Sequence, residues 1–183
     1  MARNVKNNQF PIPLTHATPI LVPPSESAPA QELPILSSPI YGSKRGTEFD
    51  DGACFGKTIT ETSIKSHGVI NSIAIEHNTC DNTMHGGKGG SQTQTLILRE
   101  DEYITEVVIR TNTYKHRNVV QCLTFKTNLG RLFGPCGDNQ RKEKSTEISI
   151  IAPKCGYGLI GIKGWKGEYI NAIGFHWGNF TSS

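Results

Sequence analysis

The chain has no apolar run of eighteen residues and no glycine before Gly42. The first absence excludes a helical membrane span. Charge of one sign is also scarce. The 19 Lys and Arg residues stand against 16 Asp and Glu, a net charge of +3, which does not call for a nucleic-acid partner. Residues 1–11 lack the apolar core of a secretory signal, so the chain is expected to be cytoplasmic, unconventionally secreted or already processed. No Cys-x-x-Cys pair is present. The five cysteines, Cys54, Cys80, Cys122, Cys136 and Cys155, are odd in number and irregularly spaced, which argues against a zinc site and a disulfide scaffold. Free buried thiols fit this pattern. A Cys122–Cys136 bridge across a hairpin also fits, because Thr127-Asn128-Leu129-Gly130 between them reads as a turn. Enzyme signatures are missing too. His85 has no Gly-x-Ser-x-Gly nucleophile to serve, and Gly86-Gly87-Lys88-Gly89-Gly90 lacks the Lys-Ser/Thr ending of a phosphate loop. Glu100-Asp101-Glu102 reads as a solvated turn, not an acid–base pair. No enzyme, metal or other cofactor is expected.

Composition divides what remains. Eight of the ten prolines lie at or before Pro39, and all 19 glycines lie at or after Gly42. Residues 1–38 are therefore expected to form an extended proline-rich tail or linker, and residues 39–183 a single domain. Within that domain short alternating runs are separated by glycine and asparagine turns, the pattern of an all-β sandwich, barrel or prism. Strands are expected at Ile70–His77, Thr95–Arg99, Tyr103–Thr111, Val119–Lys126, Arg131–Gly134, Glu147–Ile151, Leu159–Lys163 and Tyr169–Trp177. On the last of these, His176 and Trp177 should alternate in and out, with Phe175 or Trp177 in the core. Three strand entries resemble one another: Val69–His77, Glu102–Ile109 and Glu168–Phe175. Such a repeat points to pseudo-symmetry, with one repeat strand in each of three sheets around a common axis.

The third copy differs from the others. Gly164-Trp165-Lys166-Gly167-Glu168-Tyr169 is a glycine-bounded turn that runs into an alternating strand. A short loop rich in backbone and side-chain polar groups is a sensible place to hold a small polar ligand.

Several segments in order carry a family resemblance. They are Tyr41-Gly42-Ser43-Lys44-Arg45-Gly46 with Phe49-Asp50-Asp51-Gly52, His85–Gly90, Thr95–Leu98, Glu102–Ile104, Leu123–Arg131, Gly134–Gly137, Leu159–Gly164 and Tyr169–Trp177. Together they resemble a jacalin-related lectin domain over about residues 40–178. The resemblance implies an all-β prism of three four-stranded antiparallel sheets with pseudo-threefold symmetry. It implies non-covalent, metal-independent carbohydrate binding at one end, by the first glycine-rich loop, a middle loop and a final Gly-x-x-x-Asp loop. Carried across by position, the carbohydrate-binding residues are Gly42, Ser43 and Lys44; Tyr114, Lys115, His116 and Arg117; and Gly167, Glu168, Tyr169, Ile170 and Asn171. Asn171 stands where the family pattern has Asp, so an amide replaces a carboxylate that would accept two charge-assisted hydrogen bonds. Ser43-Lys44-Arg45 replaces a run of glycines.

The expected function is therefore a lectin for mono- or oligosaccharides, free or on glycoproteins. Mannose/glucose-type sugars fit. So do anionic glycans, should Lys44, Arg45, Lys115 and Arg117 form one basic rim. A single shallow site binds weakly, which makes a homodimer plausible. The alternative is a prism deficient in sugar binding, whose proline-rich tail or basic loops bind a protein or an anionic lipid headgroup.

Overall fold

The computed structural model describes residues 34–52, 58–78, 83–140 and 143–180. The expected tail, up to residue 33, lies outside the described residues, as do Cys54 and Cys80. Thirteen strands run through the described residues: β1 (Leu36–Ser37), β2 (Tyr41–Gly42), β3 (Thr47–Asp50), β4 (Ile59–Ser66), β5 (Ile70–His77), β6 (Thr83–Gly86), β7 (Gln92–Ile97), β8 (Ile104–Tyr114), β9 (Arg117–Thr127), β10 (Leu132–Gly137), β11 (Thr146–Ile151), β12 (Tyr157–Lys166) and β13 (Ile170–Asn179).

The strands form three antiparallel sheets, each centred on a hairpin. The first sheet has β12 and β13 inside, with β3 on one edge and β1 and β2 on the other. β1 and β2 are two short pieces along the same side of β13, at Trp177–His176 and Ile173–Ala172, so this sheet too is four positions wide. The second runs β6-β5-β4-β7 and the third β10-β9-β8-β11. Each sheet turns alternate residues inward, as period-two patterning dictates. Ile64 and Ile73 from the second sheet, Leu123 and Phe125 from the third, and Ile162 and Phe175 from the first meet in one core and are fully buried. Removing one such large side chain costs about 2–5 kcal/mol. This is the three-sheet prism that the family resemblance implies.

Three details differ from the expectation. β13 is buried along nearly all its length, so Phe175 and Trp177 are both in the core and His176 does not turn out to solvent. The chain between β1 and β2 explains part of this. The Pro39 carbonyl lies 2.8 Å from where a Cβ on Gly174 would sit, and His176 hydrogen-bonds to Asp50 and Ser37. Next, Glu102 is not a solvated turn residue. It is buried, with its carboxylate taken by the Arg131 guanidinium at 2.5 Å and the Arg99 N–H at 3.0 Å. Finally, β5 and β13 are the second strands of their hairpins, whereas β8 is the first strand of its own. The equivalent of β5 and β13 in the third sheet is β9. The backbone shows it. A Cβ on Gly42, Gly86 or Gly137 would meet the carbonyl oxygen of Asn171, Asn71 or Gln121 at 2.2, 2.2 and 2.1 Å respectively. The same close approach recurs three times, once per sheet.

Cys122 on β9 lies opposite Gly137 and Cys136 on β10 lies opposite Leu123, and both are free thiols. Burial pushes Cys122 up to about 11 and Cys136 up to about 12, so both are inert.

Candidate saccharide-binding site

The three hairpin turns meet at one end of the prism. Their shared base is a small apolar cluster of Val69, Val119 and Tyr169, one residue from each hairpin, with Tyr114 packed against it. Tyr114 meets Tyr169 edge-on, ring centroids 5.3 Å apart, a favoured aromatic geometry. The β8–β9 turn is a two-residue connection, Lys115-His116, with φ of 47° and 62°. Both residues are left-handed, as a type I′ hairpin turn requires. Neither is glycine, so strain of about 1–2 kcal/mol per residue is held where Lys115 is displayed.

Two of the three sheets build the same cradle beside their turns. In the first, Gly42 and Gly46 bracket a loop whose Ser43 N–H donates to the Asn171 carbonyl at 2.9 Å. In the second, Gly86 and Gly90 bracket a loop whose Gly87 N–H donates to the Asn71 carbonyl at 3.0 Å. Gly42 and Gly86 have φ of 117° and 114°, which only glycine adopts without strain. The cradles differ in their amides. Asn171 Nδ2 donates to the Arg45 carbonyl at 2.8 Å, and its Oδ1 is buried without a partner. The loop Ser43-Lys44-Arg45 therefore closes on Asn171, which is only 3% exposed. Asn71 is as buried, at 5% exposure, and its Oδ1 also lacks a partner, but it borders an open cavity.

That cavity, of about 500 Å3, is lined by His67, Asn71, Gly90 and Ser91 from the second sheet, Tyr114 and Lys115 from the third, and Glu168 and Tyr169 from the first. Its volume is in the range of small-ligand pockets. One directed chain of hydrogen bonds crosses it. Lys115 Nζ donates to the Tyr169 hydroxyl at 2.9 Å, and that hydroxyl donates to Glu168 Oε1 at 2.6 Å. The Tyr169 hydroxyl, then the Lys115 charge, hold the Glu168 carboxyl below its usual range. The same hydroxyl, then Glu168, push Lys115 above its usual value. Both therefore stay ionised at neutral pH. His67 Nδ1 and the Ser91 hydroxyl hydrogen-bond at 2.9 Å. The pocket thus offers hydroxyl, amide and charged partners over tyrosine rings, an arrangement suited to a polyhydroxylated ligand with apolar faces.

Of the twelve residues expected in the site, Tyr114, Lys115, Glu168 and Tyr169 line this cavity. Gly42, Ser43 and Asn171 form the closed cradle. Lys44 lies over the Trp165 ring, 5.5 Å from its centroid, and outside the cavity lining. His116 and Gly167 are exposed turn residues, and Arg117 is the exposed first residue of β9. The Ile170 side chain is fully buried in the main core, so that position can offer a ligand only backbone. His67, Asn71, Gly90 and Ser91 were not anticipated. The signal was present: Ile70-Asn71-Ser72-Ile73 repeats Ile170-Asn171-Ala172-Ile173, and Gly86 to Gly90 repeats the spacing of Gly42 to Gly46. His85, the apparent catalytic candidate, is buried. Its Nε2 is 2.7 Å from Asp51 Oδ1, its Nδ1 3.2 Å from Lys166 Nζ, and its ring stacks on Phe49. Among the described residues no cluster of three or more potential metal ligands occurs.

The chain is similar to known proteins over the whole prism. A family model described as "Jacalin-like lectin domain" matches residues 38–176. Jacalin-related lectin 36 of Arabidopsis thaliana is 32% identical over 136 residues, 74% of this chain but 28% of that protein. Jacalin-related lectin 19 of the same plant is 28% identical over 147 residues, covering 74% of this chain and 76% of that protein. Among solved structures, artocarpin in complex with mannotriose superposes with a TM-score of 0.67 at 28% identity, over 78% of this chain and 96% of that one. The prism, the turn-built cradles and these matches agree, and the chain belongs to the jacalin-like lectin domain family.

Proposed function

We propose that this domain is a non-enzymatic lectin that binds neutral, mannose-type saccharides in the cavity between its hairpin turns. The observation that carries the reading is the cavity itself, lined by Asn71, Ser91 and His67 together with the edge-packed Tyr114 and Tyr169. Family membership and the mannotriose complex of artocarpin support it. Asn71 lines the cavity with an amide whose Oδ1 is buried and has no partner within the fold, and the loop Gly86–Gly90 lets backbone approach the ligand. One shallow site of this kind binds near the millimolar end of the scale, about −4 kcal/mol. Useful avidity then requires several sites, and we include a homodimer in the proposal; a strictly monomeric mass at working concentration contradicts that part alone.

Titration with mannotriose tests the reading. Asn71→Ala and Tyr114→Ala should each weaken binding about tenfold, the loss of one to two hydrogen bonds or a stacked face. Wild-type protein that binds no mannotriose, or variants that bind it unchanged, would contradict the assignment. One observation favours the second reading, an interaction protein without sugar binding: the Asn171 Nδ2 is already taken by the Arg45 carbonyl. It applies to that cradle, and the Asn71 variant separates the two readings.

A further inference from the structure

The charges at this end of the prism are uneven. The loops 42–46, 66–69, 86–91 and 114–118 carry Lys44, Arg45, Lys88, Lys115 and Arg117 and no acid. The third turn, 166–171, contributes one carboxylate, Glu168. That carboxylate does not point away from the cations. Its Oε1 is 3.6 Å from Lys115 Nζ and 2.6 Å from the Tyr169 hydroxyl, which also accepts from Lys115. Arg117 is close enough to favour its ionised form as well. The partners are fixed by the fold. Tyr169 is 6% exposed and seated on Val69 and Val119, and Lys115 is displayed by a two-residue turn. The two charged heads remain open to solvent, at 61% and 64% side-chain exposure, where a ligand can reach them.

We propose that Glu168 is a built-in counter-anion that sets the charge class of the saccharide this pocket accepts. Its carboxylate takes the Lys115 ammonium and the Tyr169 hydroxyl, the two partners that a sulfate or uronate on a glycan would need. A neutral saccharide meets a locally balanced surface. An anionic one must displace Glu168 or accept its repulsion. The inference rests on the reading of this cavity as the saccharide site, and it goes further by naming the residue that selects among saccharides. Removing the carboxylate leaves Lys115 and Arg117 uncompensated and turns the preference towards sulfated glycans. Because the pair is exposed, the bias is a few-fold and is screened by salt.

The test compares wild type, Glu168→Gln and the double variant Glu168→Gln/Lys115→Gln. The probes are mannotriose and a sulfated mannotriose, titrated at about 20 mM and about 500 mM salt, spanning weak to strong screening. The quantity read is the ratio of sulfated to neutral affinity. Glu168→Gln should raise this ratio about three- to tenfold at low salt. The gain should largely disappear at high salt and be cancelled in the double variant. A ratio unchanged or lowered in Glu168→Gln overturns the proposal, and so does a gain that survives loss of Lys115. If wild type binds mannotriose but the ratio does not move, Glu168 alone is misassigned. If wild type binds neither probe, the saccharide reading itself fails. Glu168 is exposed, so the variant is expected to fold, and its thermal midpoint should match wild type.

Discussion

Asn171 shows what a single atom changes. With its Nδ2 donating to the Arg45 carbonyl at 2.8 Å, the amide holds the loop 43–46 against the β12–β13 turn. A carboxylate there would face a carbonyl oxygen and donate nothing. Asn171→Asp should therefore lower stability by about 1–2 kcal/mol at neutral pH, measured by urea unfolding. Equal or higher stability would show that the amide does not latch the loop. The family resemblance drew attention to this residue. The sequence could not show that the chain itself consumes the amide, since that depends on where the Arg45 carbonyl falls. Glu102 makes the same point about burial. Three acids in a row look solvated, yet the tertiary fold brings Arg131 onto the third. Burial pushes the Glu102 carboxyl up, but hydrogen bonds from the Arg99 N–H, Thr127 and Arg131 outweigh it and leave it below its usual value. Its contribution is therefore complete above the ordinary carboxylate range and is lost as pH falls below it. Glu102→Gln should cost about 1–3 kcal/mol at pH 7 and flatten the acid limb of the stability profile below about pH 4. A variant with an unchanged acid limb would remove Glu102 as its source.

At the scale of elements, the turns decide the site. The Lys115-His116 connection holds two non-glycine residues at positive φ, so His116→Gly should stabilise the domain by about 1 kcal/mol, read from denaturant midpoints. A destabilised variant would mean that the His116 side chain makes a contact outweighing its strain. The Gly86–Gly90 loop approaches the first-sheet turn very closely: a Cβ on Gly87 would sit 2.5 Å from the Glu168 carbonyl oxygen. Gly87→Ala must push the two cradles apart, costing about 1–3 kcal/mol and weakening mannotriose binding. Strand positions were largely legible, because period-two alternation marks half-buried strands directly; β5 matches its expected span. β4 carries no clear apolar alternation: Thr60, Glu61 and Ser63 break the signal although Ile59 and Ile64 are core. The likeness of β8 to β5 and β13 has a related cause. Both strands of a hairpin face the same core and share its Ile/Val spacing, so similarity of pattern does not distinguish the first strand from the second. The glycine–carbonyl contacts do.

For the molecule as a whole, pseudo-symmetry explains both what the prism offers and what it withholds. Three corners share the glycine–carbonyl approach, two of them carry the bracketed cradle, and local side chains change their outcome. The corner at Asn71 is open. Asn171 and Arg45 close the second. At the third, the Arg110 guanidinium is bonded to Asn139 and Glu147. The repeat was readable in the sequence, but which corner stays open was not, because that depends on backbone atoms of loops distant in the chain. The buried thiols report on the same global fold. Cys155 is exposed while Cys122 and Cys136 are buried, so a thiol reagent followed by peptide mapping should label Cys155 in native protein and the other two only on unfolding. The central claim, that the open corner at Asn71 is the saccharide site, is tested most directly by following backbone and side-chain amide resonances during mannotriose titration. The account predicts saturable shifts at His67, Asn71, Ser91, Lys115 and Tyr169, with the Asn171 side-chain amide unmoved. Shifts confined to Gly42–Gly46 and Asn171, or none at all, would contradict it.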